Sequence, residues 1–232
     1  MKGNSGKGPR KGYDWGYARK ADQRGEGLIR RGRILFNPIV RIAFKEWAVV
    51  VDALGRGEQI LILRKGGISE GRGGFRLEHQ QFWLFPTLYH QQAENVIESA
   101  RQRFEPLLPG LQASGNAAIQ YWGRVVEAHR VVDLAAAHRL QGQHIWKEDV
   151  ISQRFDWGPS QNIFAIAVRI YRLPASIPIP LLPEYGGCKS WVELQTDLPT
   201  DSGVPVLNDS MFNQSLQRFR HSLRETSSLP TT

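Results

Sequence analysis

The chain has 232 residues, 41% of them apolar, with seven Trp, ten Phe and six Tyr, enough for one sizeable core. Mean hydropathy is mildly negative, and no apolar run approaches the roughly 20 residues that span a bilayer, so no membrane association is expected. The net charge of +8 points toward a polyanion, while the single cysteine, Cys188, excludes an internal disulfide and fits a reducing, cytoplasmic compartment.

The charge is unevenly spread. Residues 1–41 carry eleven basic and three acidic groups, and the remaining 191 residues hold nineteen of each, so the excess belongs to the N-terminal arm. Residues 1–36 are rich in Gly, Lys and Arg without apolar periodicity, which predicts a disordered arm. No apolar stretch follows its cations, so it is not a secretory signal. Within it, residues 11–20 interleave Tyr13, Trp15 and Tyr17 with cations, a composition suited to stacking on bases and neutralising phosphates. The plainer reading is a solvated tail, or an extension from a misplaced start codon.

A folded domain is expected over residues 37–195, followed by a linker and C-terminal helix over 196–232. Asn37-Pro38 reads as a helix cap, and Ile39, Ala43, Trp47, Val50, Val51 and Leu54 recur at helical spacing up to a stop at Gly55. Gln59 to Leu63 reads as a short buried strand. A basic, glycine-rich loop runs from Arg64 to Gly74, and Phe75 to Glu78 and Phe82 to Phe85 read as two more strands, the second closed by Pro86.

Residues 92–105 are predicted helical, 106–116 a loop, and Ile119 to Val132 β-rich. Asp133 caps a short helix to Leu140, and Trp146 to Phe155 is another helical candidate. Asn162 to Arg172 is the strongest strand, the proline-rich run 174–183 is extended, and Ser190 to Leu194 is a last strand. Asn208 or Asp209 caps a helix with Phe212, Leu216, Phe219 and Leu223 on one face and Arg218, Arg220, His221 and Arg224 opposite. Packing onto the core is its default, with a partner-helix contact as the alternative. Strands and helices do not alternate regularly, so the expected fold is α+β with a compact mixed β-barrel-like core and peripheral helices, not a doubly wound sheet.

The strings Lys45 to Val50, Gln59 to Ile68, Gly74-Phe75, Glu78-His79, Leu84 to Thr87 and His90-Gln91 resemble a bacterial family, the domain of unknown function 1802 family, common in cyanobacteria. Arg169 to Pro174 and Tyr185 to Leu194 extend the resemblance, which spans roughly residues 42–194. No reaction is assigned to that family. The resemblance implies a restriction–modification context, because some members occur with a restriction-endonuclease-type domain, and such a protein is a candidate partner. A helix followed by Gly57 to Arg64 is also similar to PUA-like barrels, which bind RNA or modified bases and in which a glycine and an arginine bracket a strand lining the cleft. Gln59 stands where those barrels usually have a lysine, and Ile62 where they have an acid.

Arg64, Lys65, Arg72 and Arg76 sit among glycines that would let backbone N–H groups approach an anion. No Gly-Lys-Ser/Thr follows, so this is not a phosphate-loop motif, and strand rather than helix follows, so it is not a dinucleotide fingerprint. A solvated hairpin connection is the plainer reading. Glu78, His79 and His90 are the types used in acid–base or metal chemistry, without metalloprotease spacing. A restriction-type nuclease core is excluded, because Leu63 and Gly187 stand where acids are needed beside Lys65 and Lys189.

Cys188 lies on a glycine turn beside Lys189, and a small buried thiol is its plainer reading. Trp47, Trp83 and Trp191 read as core, with Trp83 a stacking platform if its face is open. The leading expectation is a module binding DNA or RNA, at a modified or single-stranded base, through Arg64, Lys65, Arg72, Arg76, His79, Trp83, His90 and Arg169. No cofactor or metal is called for. The rivals are a small hydrolytic or transfer enzyme using Glu78, His79, His90 or Cys188, and an interaction module without a core site.

Overall fold

In the structure, a computed structural model describing residues 39–65, 77–88, 93–158, 160–200 and 202–224, the run Ile39–Trp47 is a strand (β1) rather than the start of a helix. The expected arm 1–36, the Asn37-Pro38 cap, most of the glycine-rich loop with Arg72 and Arg76, and His90 lie outside the described residues. All described residues belong to one unit, Asn37–Thr232. β1 carries β-branched Ile and Val, and Ala43 and Phe44 are buried on opposite faces. A strand covered on both sides loses its alternation, which is why its apolar residues mimic helical spacing.

The helix begins only at Ala48 (α1, Ala48–Arg56) and ends at Gly57, whose φ of 73° lets its N–H return to the Ala53 and Leu54 carbonyls. Gly55 is therefore not the stop. It lies inside α1 under the Tyr121 ring, where a Cβ would stand 2.3 Å from the phenol Cζ.

The chain continues through β2 (Leu61–Arg64), β3 (Gln81–Thr87), α2 (Glu98–Phe104) and α3 (Leu108–Ala113). Leu77 and Glu78, expected as the end of a strand, are irregular, and α3 replaces an expected loop, since a proline at the second position of a helix is tolerated. β4 (Asn116–Val131) pairs with β5 (Ile163–Pro180) in a long antiparallel ribbon, with α4 (Leu134–His138) and α5 (Glu148–Asp156) between them. Asp133 caps α4 by accepting the Ala135 and Ala136 N–H groups. Pro178 and Pro180 fall in the stretch of β5 that pairs with β4 alone and Pro174 in the register shift between Arg172 and Ile177, so no ladder bond on the other side is lost. β6 (Trp191–Pro199), β7 (Val204–Pro205) and α6 (Asp209–Arg224) complete the unit.

The sheet runs β2-β5-β4-β3-β1-β6, with β7 on β5, and only β1 and β3 are parallel. The mixed α+β architecture is present, but the ladder is open: β2 and β6 end it, and no backbone pairing joins them among the described residues. Phe44, Phe82 and Leu84 face the larger core beneath the helices, whereas Ala43, Trp83 and Phe85 face a smaller one with Ile119, Tyr185 and Leu194. α6 packs on the larger core through Phe212, Leu216 and Phe219, and Asn208 caps it through the Met211 N–H (2.9 Å). Among the described residues no helix is long and apolar enough to cross a membrane.

Candidate functional site

Where the end of β2 passes the junction of β1 and β6, a cleft of about 350 Å³ opens. Its cations are Lys45 from β1, Arg64 and Lys65 from the end of β2, Arg154 from α5 and Lys189 from the turn before β6. Trp47 and Trp157 supply aromatic walls, and no carboxylate lines it among the described residues.

The five cations are not equivalent. The Arg64 Nη2 donates to the Lys45 carbonyl (2.8 Å) and to Ser190 Oγ (3.2 Å), its guanidinium lies over Phe44 (4.7 Å to the ring centre), and Nη1 is 3.9 Å from the buried Glu46 carboxylate. Lys65 Nζ donates to three carbonyls, those of Phe155 (2.8 Å), Ser160 and Asn162 (3.0 Å), which engages all three of its protons. It thereby fixes the turn that follows α5 and carries Trp157, itself 53% exposed. Burial lowers the Lys65 ammonium from its usual range, Asp156 opposes this and Arg130 adds to it.

Among the described residues Arg154 is held by aromatic rings and not by hydrogen bonds. Its guanidinium stacks on Trp146 (3.7 Å to the ring centre) and lies 5.3 Å from the centre of Trp47, yet it makes no hydrogen bond or salt bridge among the described residues. Burial lowers it to about 10; Glu46 works against that shift and Arg64 with it. It remains charged at neutral pH. Lys45 Nζ donates one bond, to the Gly187 carbonyl (2.6 Å), presented by a turn in which Gly187 adopts a φ of 73°. Burial also lowers Lys45, with Cys188 opposing and Arg64 and Lys189 adding to the effect. Lys189 is exposed and has no partner among the described residues.

The sequence-derived residues divide sharply. Arg64 and Lys65 reach the cleft. Trp83 is fully buried and its Nε1 donates to the Val40 carbonyl (2.8 Å), so it is core and cannot be a stacking platform. Arg169 is held by Asp209 (2.5 Å) and the Leu207 carbonyl (3.3 Å) over the Phe212 ring, and it pins α6 at a separate small cavity that Gly57 shares. His79 packs edge-on against Trp191 (5.0 Å between ring centres), and neither it nor the exposed Glu78 lines the cleft.

Cys188 lines the cleft and is exposed, against the expectation of a buried thiol, because the glycine turn holds it away from the core. No hydrogen bond joins it to a histidine, and no group of three or more His, Cys, Asp or Glu is placed to hold a metal among the described residues. Lys45, Trp47, Arg154, Trp157 and Lys189 were not legible as one site. Arg154 carried a signal, since it lies three and four residues after the buried Ile151 and Val150, a cation on the apolar face of its helix.

Among solved structures the chain is similar to the ASCH protein of Zymomonas mobilis, at 12% identity and a TM-score of 0.39, covering 76% of this chain and 92% of that one. Two single-substitution variants of that protein give 11% identity, TM-score 0.39 and coverage of 76% and 95%, and 14% identity, TM-score 0.37 and coverage of 78% and 97%. No curated protein matches the chain in sequence. The family described as "Domain of unknown function (DUF1802)" matches residues 43–218, and the chain belongs to that family.

Proposed function

We propose that the cleft binds single-stranded nucleic acid, with a backbone phosphate at Arg154, Lys45 and Lys189 and a base against Trp157. The observation that carries this reading is Arg154, a guanidinium drawn into the protein with no hydrogen bond or salt bridge of its own among the described residues, beside four other cations and no lining carboxylate. Removing a charge from water is costly unless something pairs with it, and a phosphate oxygen offers that pairing bidentately. An exposed tryptophan at the same opening supplies the sequence-tolerant contact that single strands use. The basic arm, residues 1–36, would add salt-dependent affinity of its own. A restriction–modification or RNA-related setting in the cytoplasm, with a restriction-endonuclease-type partner, fits this reading.

Cys188 lines the cleft and is the chain's single cysteine, so its modification by a maleimide reports occupancy. Short single-stranded DNA and RNA at low salt are expected to slow that modification. Lys189→Glu, at an exposed position, is expected to weaken binding about tenfold and to reduce the salt slope by about one. Absence of binding to any single strand at low salt, or binding with neither protection of Cys188 nor sensitivity to Lys189→Glu, overturns the proposal.

A further inference from the structure

A second cavity of about 340 Å³ adjoins the cleft and has the opposite character. Its walls are Phe85, Pro86, Leu88, Ala118, Leu181 and Leu182, and Leu88 and Leu181 are large apolar side chains left exposed at its mouth. Lys45, Thr87 and Gly187 line both cavities, so the hydrogen bond from Lys45 Nζ to the Gly187 carbonyl (2.6 Å) is a shared partition. One polar side chain on the far side, Asn116, donates its Nδ2 to the Ser114 carbonyl (3.0 Å) and keeps its Oδ1 free to accept among the described residues.

We infer that the two cavities form one bipartite site for a dinucleotide step, with one base in the apolar groove and the phosphate that follows it crossing Lys45 into the basic cleft. This rests on the nucleic-acid reading of the cleft. Each cavity alone lies near the lower end of the roughly 300–1,000 Å³ found for small-ligand sites, and the two together suit a longer ligand. The ligand must change from apolar to anionic at Lys45, as a nucleotide does between its base and its phosphate. A flat base covers Leu88 and Leu181 while its edge reaches the Asn116 acceptor. An alkyl chain would make no hydrogen bond to that exposed acceptor whereas a base edge can, so an alkyl phosphate is the competing ligand in the test.

The test compares the full chain's affinity for a 5′-mononucleotide, a 5′-phosphorylated dinucleotide, the same dinucleotide lacking its terminal base, and decyl phosphate. The intact dinucleotide is expected to bind at least about tenfold more tightly than the mononucleotide, and loss of the base to remove that advantage. Ala118→Trp, which fills the groove from an exposed strand position, is expected to collapse the ratio of dinucleotide to mononucleotide affinity toward one. Leu181→Asp, at a second exposed position, is expected to do the same and guards against misfolding of the first variant. Equal binding of mononucleotide and dinucleotide, or tighter binding of decyl phosphate, overturns the bipartite site while leaving the cleft standing. Binding of no nucleotide at all fails the cleft itself.

Discussion

Arg64 Nη2 stands 2.8 Å from the Lys45 carbonyl oxygen and thereby joins β2 to β1, two strands with three others between them in the sheet. A side chain supplies a tie that the backbone ladder does not. Arg64→Ala is expected to destabilise the protein by about 2 kcal/mol, because charge-assisted bonds are lost and the buried Glu46 loses a neighbouring cation. Urea unfolding measures it. Arg64→Lys keeps the charge but not the fork, and is expected to recover only part of the loss.

Lys65 separates a structural cation from a ligand-binding one. Lys65→Met keeps the stem and leaves the Phe155, Ser160 and Asn162 carbonyls without that donor. We expect a loss of about 2 kcal/mol in chemical denaturation, with the salt dependence of nucleic-acid binding nearly unchanged. A reduced salt slope with unaltered stability would reverse that assignment.

The two tryptophans Trp83 and Trp157 are expected to behave oppositely. Trp83→Ala empties a fully buried position and should cost about 3–5 kcal/mol or prevent folding. Trp157→Ala, at an exposed position, should leave the unfolding midpoint within about 0.5 kcal/mol of the parent while weakening single-strand binding. Thermal melts and oligonucleotide titrations of both variants decide the matter.

His144 makes stability depend on pH. Its ring is buried, Nδ1 accepts from the Trp146 N–H (3.2 Å) and Nε2 has no partner among the described residues. Burial, with the Arg154 charge adding to it, lowers it from 6.5 to about 4. The unfolded chain then binds a proton that the folded chain refuses, so this contribution is full above pH 6.5 and is lost as pH falls toward about 4. The expected loss is on the order of 3 kcal/mol over that window. His144→Asn keeps an acceptor for Trp146 and should flatten the profile. An unchanged slope in that variant would place its origin elsewhere.

The ribbon of β4 and β5, the Asp133 cap and the face of α6 were readable because each rests on a local pattern: alternating β-branched residues, a capping carboxylate, a helical stripe. β1 was not, because Ala43 and Phe44 are buried on opposite faces, and a doubly covered strand has the same apolar density as a buried helix. The cleft was half visible. Arg64 and Lys65 announced themselves by their place at a strand end, whereas Lys45, Arg154 and Lys189 come from three separate elements that only the fold brings together. Arg169 looked as available as Arg64 in sequence, and only its contact with Asp209, forty residues away, shows otherwise.

Gly55 sits in a helix whose intrinsic preference would favour alanine by about 1 kcal/mol. The space a methyl group needs there is already taken by the Tyr121 ring, and Tyr121 directly follows the register shift at Ile119 in the β4–β5 ribbon. Helix and ribbon are thus interlocked through a missing side chain. In a saturation screen alanine at this position should therefore destabilise the protein unless the Tyr121 ring moves aside, so the commonest stabilising exchange in helix engineering would here work in reverse.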